Sequence, residues 1–97
     1  MSVTVIAVMR STREDVDELL SVVHGAVPDV LAEPGCQGYA PHTVGRETVL
    51  LVESWESREH LAVHAETAEL AAFNERIAPL LVSPVEITVA RPAQGPA

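Results

Sequence analysis

The chain has 97 residues, about half of them apolar, which is the size of a single domain with a modest core. Fourteen Asp and Glu stand against six Arg and no Lys, for a formal net charge of −8. That acidity excludes the cationic footprint that phosphate binding needs and argues against anionic membrane surfaces, so neither nucleic acid nor membrane is an expected partner.

Val3 to Met9 is short, β-branched and apolar, and predicts a first strand. The N-terminus, Met1-Ser-Val-Thr, runs directly into this strand and lacks a basic segment and an apolar stretch, so no signal peptide is expected. No apolar run approaches the roughly 20 residues of a membrane span. The single cysteine, Cys36, excludes an internal disulfide and a cysteine zinc cluster, and fits a cytoplasmic protein. Ser11-Thr-Arg-Glu14 has capping-box spacing, with Thr12 as an alternative cap. Val16, Leu19, Leu20, Val23, Val27, Val30 and Leu31 then fall at helical period, and Pro28 is expected to kink the last turn. Glu33-Pro-Gly35 is a helix stop. Cys36 to Val44 predicts a second strand, in which Gly38 and Pro41 indicate a bulge or an edge.

Gly45-Arg-Glu47 reads as a hairpin turn leading into a third strand, Thr48 to Glu56. Ser57 is an N-cap for a short helix to about Ala65, and Thr67 a second cap that restarts it, with Leu70, Phe73, Ile77, Leu80 and Leu81 on one stripe. Ser83-Pro84 ends that helix. Val85 to Ala90 predicts a fourth strand with Val85, Ile87 and Val89 inward. Residues 1–91 are thus one domain, and 92–97 a flexible Pro/Gly tail.

The order β-α-β-β-α-β predicts an α+β, ferredoxin-like domain: an antiparallel four-stranded sheet with the helices on one face. The opposite face, with Thr4, Ile6, Val8, Leu50 and Val52, is largely apolar and has no helix to cover it. A second copy packed sheet to sheet would cover it, so a homodimer is expected.

Groups capable of chemistry are densest between Thr48 and His64. Trp55 follows Glu53 by two, so both share a strand face with Val49 and Leu51, assigned toward the helices. Trp55 is either a pocket wall whose N–H donates to a substrate oxygen or the core's one large filler with that N–H satisfied locally. His60 and His64 share a helix face: one is a general base, or the two are a metal pair with Glu53 or Glu56, or both are surface residues. A buried Glu53 needs a partner such as Arg76, Arg58 or a His, and is either an ion pair holding the junction together or a reacting group. Arg76 binds an anionic oxygen or faces solvent, and Tyr39 is core or interface.

Glu53-Ser-Trp55-Glu-Ser-Arg-Glu-His-Leu-Ala-Val-His64 resembles the E-x-W-x-S/D-x-x-x-L/A-x-x-H block of the antibiotic biosynthesis monooxygenase superfamily, and Glu33-Pro-Gly-Cys-Gln-Gly-Tyr39 resembles its E-P-G-C-x-x-Y block. Phe73 to Val85, with Pro84 before the last strand, is similar to its closing pattern. The resemblance implies a dimeric α+β barrel and a quinol-monooxygenase-like member: cofactor-independent oxidation by O₂ of a quinol or a polyphenolic, polyketide-type aromatic substrate. The family's haem-degrading branch has an Asn on the first strand and a His on the last helix. Here the first strand has no Asn and the helix position falls near Phe73, which disfavours that branch. The Asn and Tyr of the polyketide-oxidising branch fall near Leu51 and Leu61. The expected catalytic residues are Trp55, His64 and His60. The expected substrate-binding residues are Leu51, Glu53, Phe73 and Arg76, with no metal and no cofactor. The alternative is a non-catalytic dimeric binding protein for a small aromatic metabolite.

Overall fold

The structure, a computed structural model, describes residues 2–95. In chain order it contains β1 (Val3–Arg10), α1 (Val16–Leu31), β2 (Cys36–Val44), β3 (Thr48–Trp55), α2 (Arg58–Ala65), α3 (Ala68–Ile77), a 3-10 turn (Ala78–Leu80) and β4 (Glu86–Ala90). The four strands form one antiparallel sheet in the order β2-β3-β1-β4. This is the ferredoxin-like α+β arrangement, with its second helix divided at Thr67. Among the described residues no helix is long and apolar enough to cross a membrane. The expected tail has no regular structure as far as Gly95; its last two residues, and Met1 at the other end, lie outside the described residues.

Strand alternation sets the core. Val3, Val5, Ala7 and Met9 of β1 pair with Trp55, Glu53, Leu51 and Val49 of β3, and this whole row is buried beneath the helices. Leu19 and Val23 of α1 are fully buried against it. Val22, off the expected stripe, is also buried, whereas Leu31 is largely exposed. The intervening positions Ile6, Val8, Leu50 and Val52 are only half-buried on the uncovered face. At the edge, β2 carries a bulge between Cys36 and Gly38, opposite Trp55 and Ser54. Edge position and bulge together account for Gly38 and Pro41 within a strand.

Both expected caps of the divided helix form: Ser57 Oγ accepts from the His60 N–H at 3.2 Å, and Thr67 Oγ1 accepts from the Leu70 N–H at 3.1 Å. The capping box at Ser11 does not form. α1 begins only at Val16, with Asp15 as an N-cap that makes no side-chain bond, and Thr12 Oγ1 instead accepts from the Asp15 N–H at 3.1 Å. Ser11 is buried, so its hydroxyl needs a partner nearby; it donates to the Leu80 carbonyl at 2.6 Å and ties β1 to the 3-10 turn.

Ile87 and Val89 pair with Ala7 and Val5, so they do face inward, yet they remain 65% and 50% exposed. The helices leave the inner face of β4 uncovered, and a cavity opens there.

Gly35 fixes the turn after α1. Its φ is +80°, its carbonyl accepts from the Glu56 N–H at 2.7 Å, and a Cβ built on it would collide with the His60 ring. Gly35→Ala is therefore expected to lower the unfolding free energy by about 2–4 kcal/mol, the sum of a left-handed alanine and an overpacked contact. In urea titrations, adding His60→Ala should recover only part of the overpacking share, because the His60 Cβ, 2.6 Å from the added methyl, remains.

Candidate functional site

The site is built where β3 runs into α2. The i, i+2 spacing of Glu53 and Trp55 puts both side chains under the helices. Trp55 is 0% exposed, and its Nε1–H donates to Glu53 Oε1 at 3.0 Å. That N–H is thus satisfied by the protein's own carboxylate.

α2 places His64 in its last turn, 5% exposed. The imidazole lies over the Trp55 indole with ring centroids 4.5 Å apart at 32°, and meets Tyr39 edge-on at 6.5 Å and 68°. Its Nδ1 is 2.9 Å from Glu33 Oε1 and its Nε2 is 4.0 Å from Glu53 Oε1. A neutral imidazole has one donor and one acceptor nitrogen. The Glu33 carboxylate can only accept, which assigns the proton to Nδ1 and leaves the Nε2 lone pair directed toward Glu53.

Glu53 is 6% exposed. Burial pushes its carboxyl pKa above the ordinary value; the Trp55 hydrogen bond and, when the ring is protonated, the His64 charge pull it partly back, and the Glu33 charge pushes it up again. The folded chain therefore binds this proton more tightly than the unfolded chain does. The stabilising effect of that proton is complete below the unfolded value of about 4.5 and is lost as pH rises through the raised folded value. Glu53→Gln keeps an acceptor for Trp55 and removes the titration. Its unfolding free energy, relative to wild type, should rise between about pH 4 and about pH 8 in denaturant titrations, whereas a constant difference would mean that Glu53 ionises without penalty.

Two further groups are held protonated. Burial raises the pKa of the Tyr39 hydroxyl, and Glu53, Glu33 and Cys36, wherever ionised, raise it further, leaving an O–H donor beside His64. Burial likewise pushes the Cys36 thiol up, against the opposing effect of its bond to the Gly38 carbonyl. Cys36 therefore lacks the thiolate character of a nucleophile.

A cavity of about 260 Å³ lies between α2, α3 and the sheet. Its walls include Val5, Leu51, Leu61, Phe73 and Ile77, its mouth is at Ile87 and Val89, and its polar groups are Glu53, His64, Tyr39 and Asn74. A second space, a groove of about 550 Å³ between α1 and α3, is bordered by Asp29, Glu33, Glu69 and Arg76. His64, Tyr39, Leu70 and Phe73 border both.

Of the residues expected from the sequence, Leu51, Glu53, Phe73 and His64 therefore meet around the inner cavity. Trp55 lies behind Glu53 and His64 and lines neither space. His60 also lines neither; its Nδ1 is 2.7 Å from Ser57 Oγ, and its ring packs over Gly35. Arg76 is exposed and borders only the outer groove. The partners of Glu53 are Trp55 and His64 rather than an arginine. Among the described residues, no group of three or more His, Cys, Asp or Glu is placed to hold a metal ion. Glu33 and Asn74 join the site without having been expected. Glu33 reads in sequence as part of a helix stop, and only its place at the head of the E-P-G-C block hints at more.

Residues 2–76 match the family described as Antibiotic biosynthesis monooxygenase. Over 61 residues the chain is 34% identical to the Escherichia coli (strain K12) protein named probable quinol monooxygenase YgiN, covering 53% of this chain and 59% of that one. The chain thus spans less than two thirds of that curated relative's length. Two solved structures share the fold. Rv0793 from Mycobacterium tuberculosis superposes with a TM-score of 0.90 at 23% identity, covering 100% of both chains. A conserved protein from Methanosarcina mazei Go1 gives a TM-score of 0.89 at 20% identity, covering 94% of this chain and 92% of its own. The family match runs from β1 through most of α3 and takes in Glu33, Glu53, Trp55 and His64, and the chain belongs to the antibiotic biosynthesis monooxygenase family.

Proposed function

We propose that the protein is a cofactor-independent monooxygenase for a quinol or polyphenol of one or two fused rings. The observation that carries this reading is the buried His64 imidazole, with Glu53 4.0 Å from its Nε2, at the polar end of an otherwise apolar cavity. The size of the cavity supports that ring count. Small-molecule pockets run from roughly 300 to 1,000 Å³, and an apolar cavity of about 150 Å³ accepts benzene. A space of about 260 Å³ suits one or two rings better than an extended polyketide. The printed name of the E. coli relative, a quinol monooxygenase, supports the substrate class.

In this reading the aromatic ring lies against Leu51 and Phe73 with one hydroxyl toward Nε2. His64 takes the hydroxyl proton, and Tyr39, kept protonated by burial, donates to the developing oxyanion. The resulting aryloxide is electron-rich enough to reduce O₂ directly, so the substrate itself takes the place of a redox cofactor. One oxygen atom bonds to the ring carbon and the other leaves as water, so that quinol and O₂ yield hydroxyquinone and water with atoms and electrons balanced.

The test is O₂ uptake and product mass with isotopically labelled O₂, over a panel of benzene- and naphthalenediols, against autoxidation. About tenfold acceleration or more, with one label in the product, is expected. No acceleration across the panel overturns the reading, and saturable binding without turnover would make the protein a binding module. Label-free quinone with hydrogen peroxide would make it an oxidase.

A homodimer belongs to the same reading. The half-buried Ile6, Val8, Leu50 and Val52 form an apolar face that a second copy would cover. Light scattering at micromolar concentration should give twice the chain mass, and Val52→Asp should halve it; a monomeric wild type contradicts the proposal.

A further inference from the structure

We infer that Glu33 is the proton port of the site: it fixes the His64 tautomer and exchanges protons between that ring and the outer groove. The inference rests on the proposed deprotonation at His64.

His64 stands with Tyr39, Leu70 and Phe73 in the wall that the two spaces share, and of these it alone has two ring nitrogens to present. Glu53 borders only the inner cavity and Glu33 only the outer groove, while His64 borders both. The two ring nitrogens divide accordingly, Nε2 toward Glu53 and Nδ1 toward Glu33. Exposure follows the same direction. The side chains of Glu53 and His64 are 8% and 6% exposed, that of Glu33 20%. Glu33 is also held in place by the backbone: its N–H donates to the Val30 carbonyl at 3.0 Å and its own carbonyl accepts from the Cys36 N–H at 3.2 Å.

The chemistry needs such a port. With an aromatic substrate filling the largely apolar cavity up to its mouth, an imidazolium formed there has little water to hand its proton to. When Nε2 takes the substrate proton, the Nδ1 proton passes along its hydrogen bond to Glu33 Oε1, whose oxygen is 2.9 Å from Nδ1, and the ring is neutral again. The overall reaction releases no net proton, because the one removed is needed when the second oxygen atom departs as water. The same path run backward supplies it from Glu33 or from groove water. Water therefore exchanges protons with the site without entering the cavity. The charged and titratable groups around this path are Glu53 on β3 and Tyr39 on β2 facing the ring, and Asp29, Glu69 and Arg76 along the groove.

Two measurements test the inference. Nitrogen NMR of His64 in the resting wild-type protein should show the Nδ1–H tautomer, lost in Glu33→Leu; a wild-type Nε2–H tautomer overturns the inference without reference to turnover. With a quinol that the wild type oxidises, Glu33→Gln should lower kcat about tenfold or more and leave KM within about twofold, because the amide holds the ring but cannot take a proton. Millimolar acetate entering the groove should restore part of that kcat. Unchanged kcat, or a loss that acetate does not relieve, overturns the port while leaving the proposed function standing. A wild type that oxidises no quinol overturns the function and the port with it.

Discussion

His64→Gln is expected to lower kcat by about 10²–10⁴-fold while leaving KM within a few fold. Glutamine is a good helix former of similar length, so α2 and the wall between cavity and groove persist. The variant lacks a basic nitrogen. The walls that would hold the ring, Leu51, Leu61 and Phe73, are untouched, which is why the effect should fall on turnover rather than on binding. The stack on Trp55 is lost, at about 0.5–1.5 kcal/mol, too little to unfold a domain of ordinary stability. Stopped-flow oxidation under air, with circular dichroism to confirm the fold, separates the two effects. Glu53→Gln is the informative control. If its kcat falls as far as that of His64→Gln, the two groups act as one unit. If Glu53→Gln alone is inactive and His64→Gln retains turnover, the base is Glu53 and His64 only orients it.

Much of this geometry is legible in the chain because it depends on local period. Alternation along Val49, Leu51, Glu53 and Trp55 gives one strand face, and the hydroxyls of Ser57 and Thr67 mark the two helix starts in which the structure uses them. What the sequence conceals depends on distance. Glu33 and His64 are 31 positions apart, and their contact exists only because the turn at Gly35 packs under α2. Ser11 has the spacing of a capping box, but it is claimed by Leu80, 69 positions away, because a buried hydroxyl takes whichever acceptor the packed chain brings near. Ile87 and Val89 alternate as core residues do and indeed point inward, yet their exposure is set by how far the helices reach across the sheet. No one-dimensional pattern encodes that reach, and it is what makes the cavity mouth.

Trp55 offers the largest expected effect on stability. Trp55→Ala removes the largest fully buried side chain, and core Trp→Ala changes cost about 3–5 kcal/mol. It also removes the donor to Glu53, and leaving a buried carboxyl short of a partner adds about 1–3 kcal/mol. The sum approaches the whole stability of a domain this size, so Trp55→Ala should be largely unfolded at room temperature, as read by circular dichroism. Trp55→Phe separates the two contributions. It keeps an aromatic face for His64 but has no N–H, so it should lose about 2–4 kcal/mol and hold the Glu53 proton still more tightly, since the bond that lowers that pKa is gone. The pH-dependent loss of stability should therefore extend to higher pH in Trp55→Phe and vanish when Glu53→Gln is added. In a double-mutant cycle at neutral pH the pair should be less destabilised than the sum of its parts by about 1 kcal/mol or more. Strict additivity would mean that the indole acts through volume alone. Coupling would place Trp55 behind the reacting groups, as the residue that sets how readily Glu53 gives up its proton.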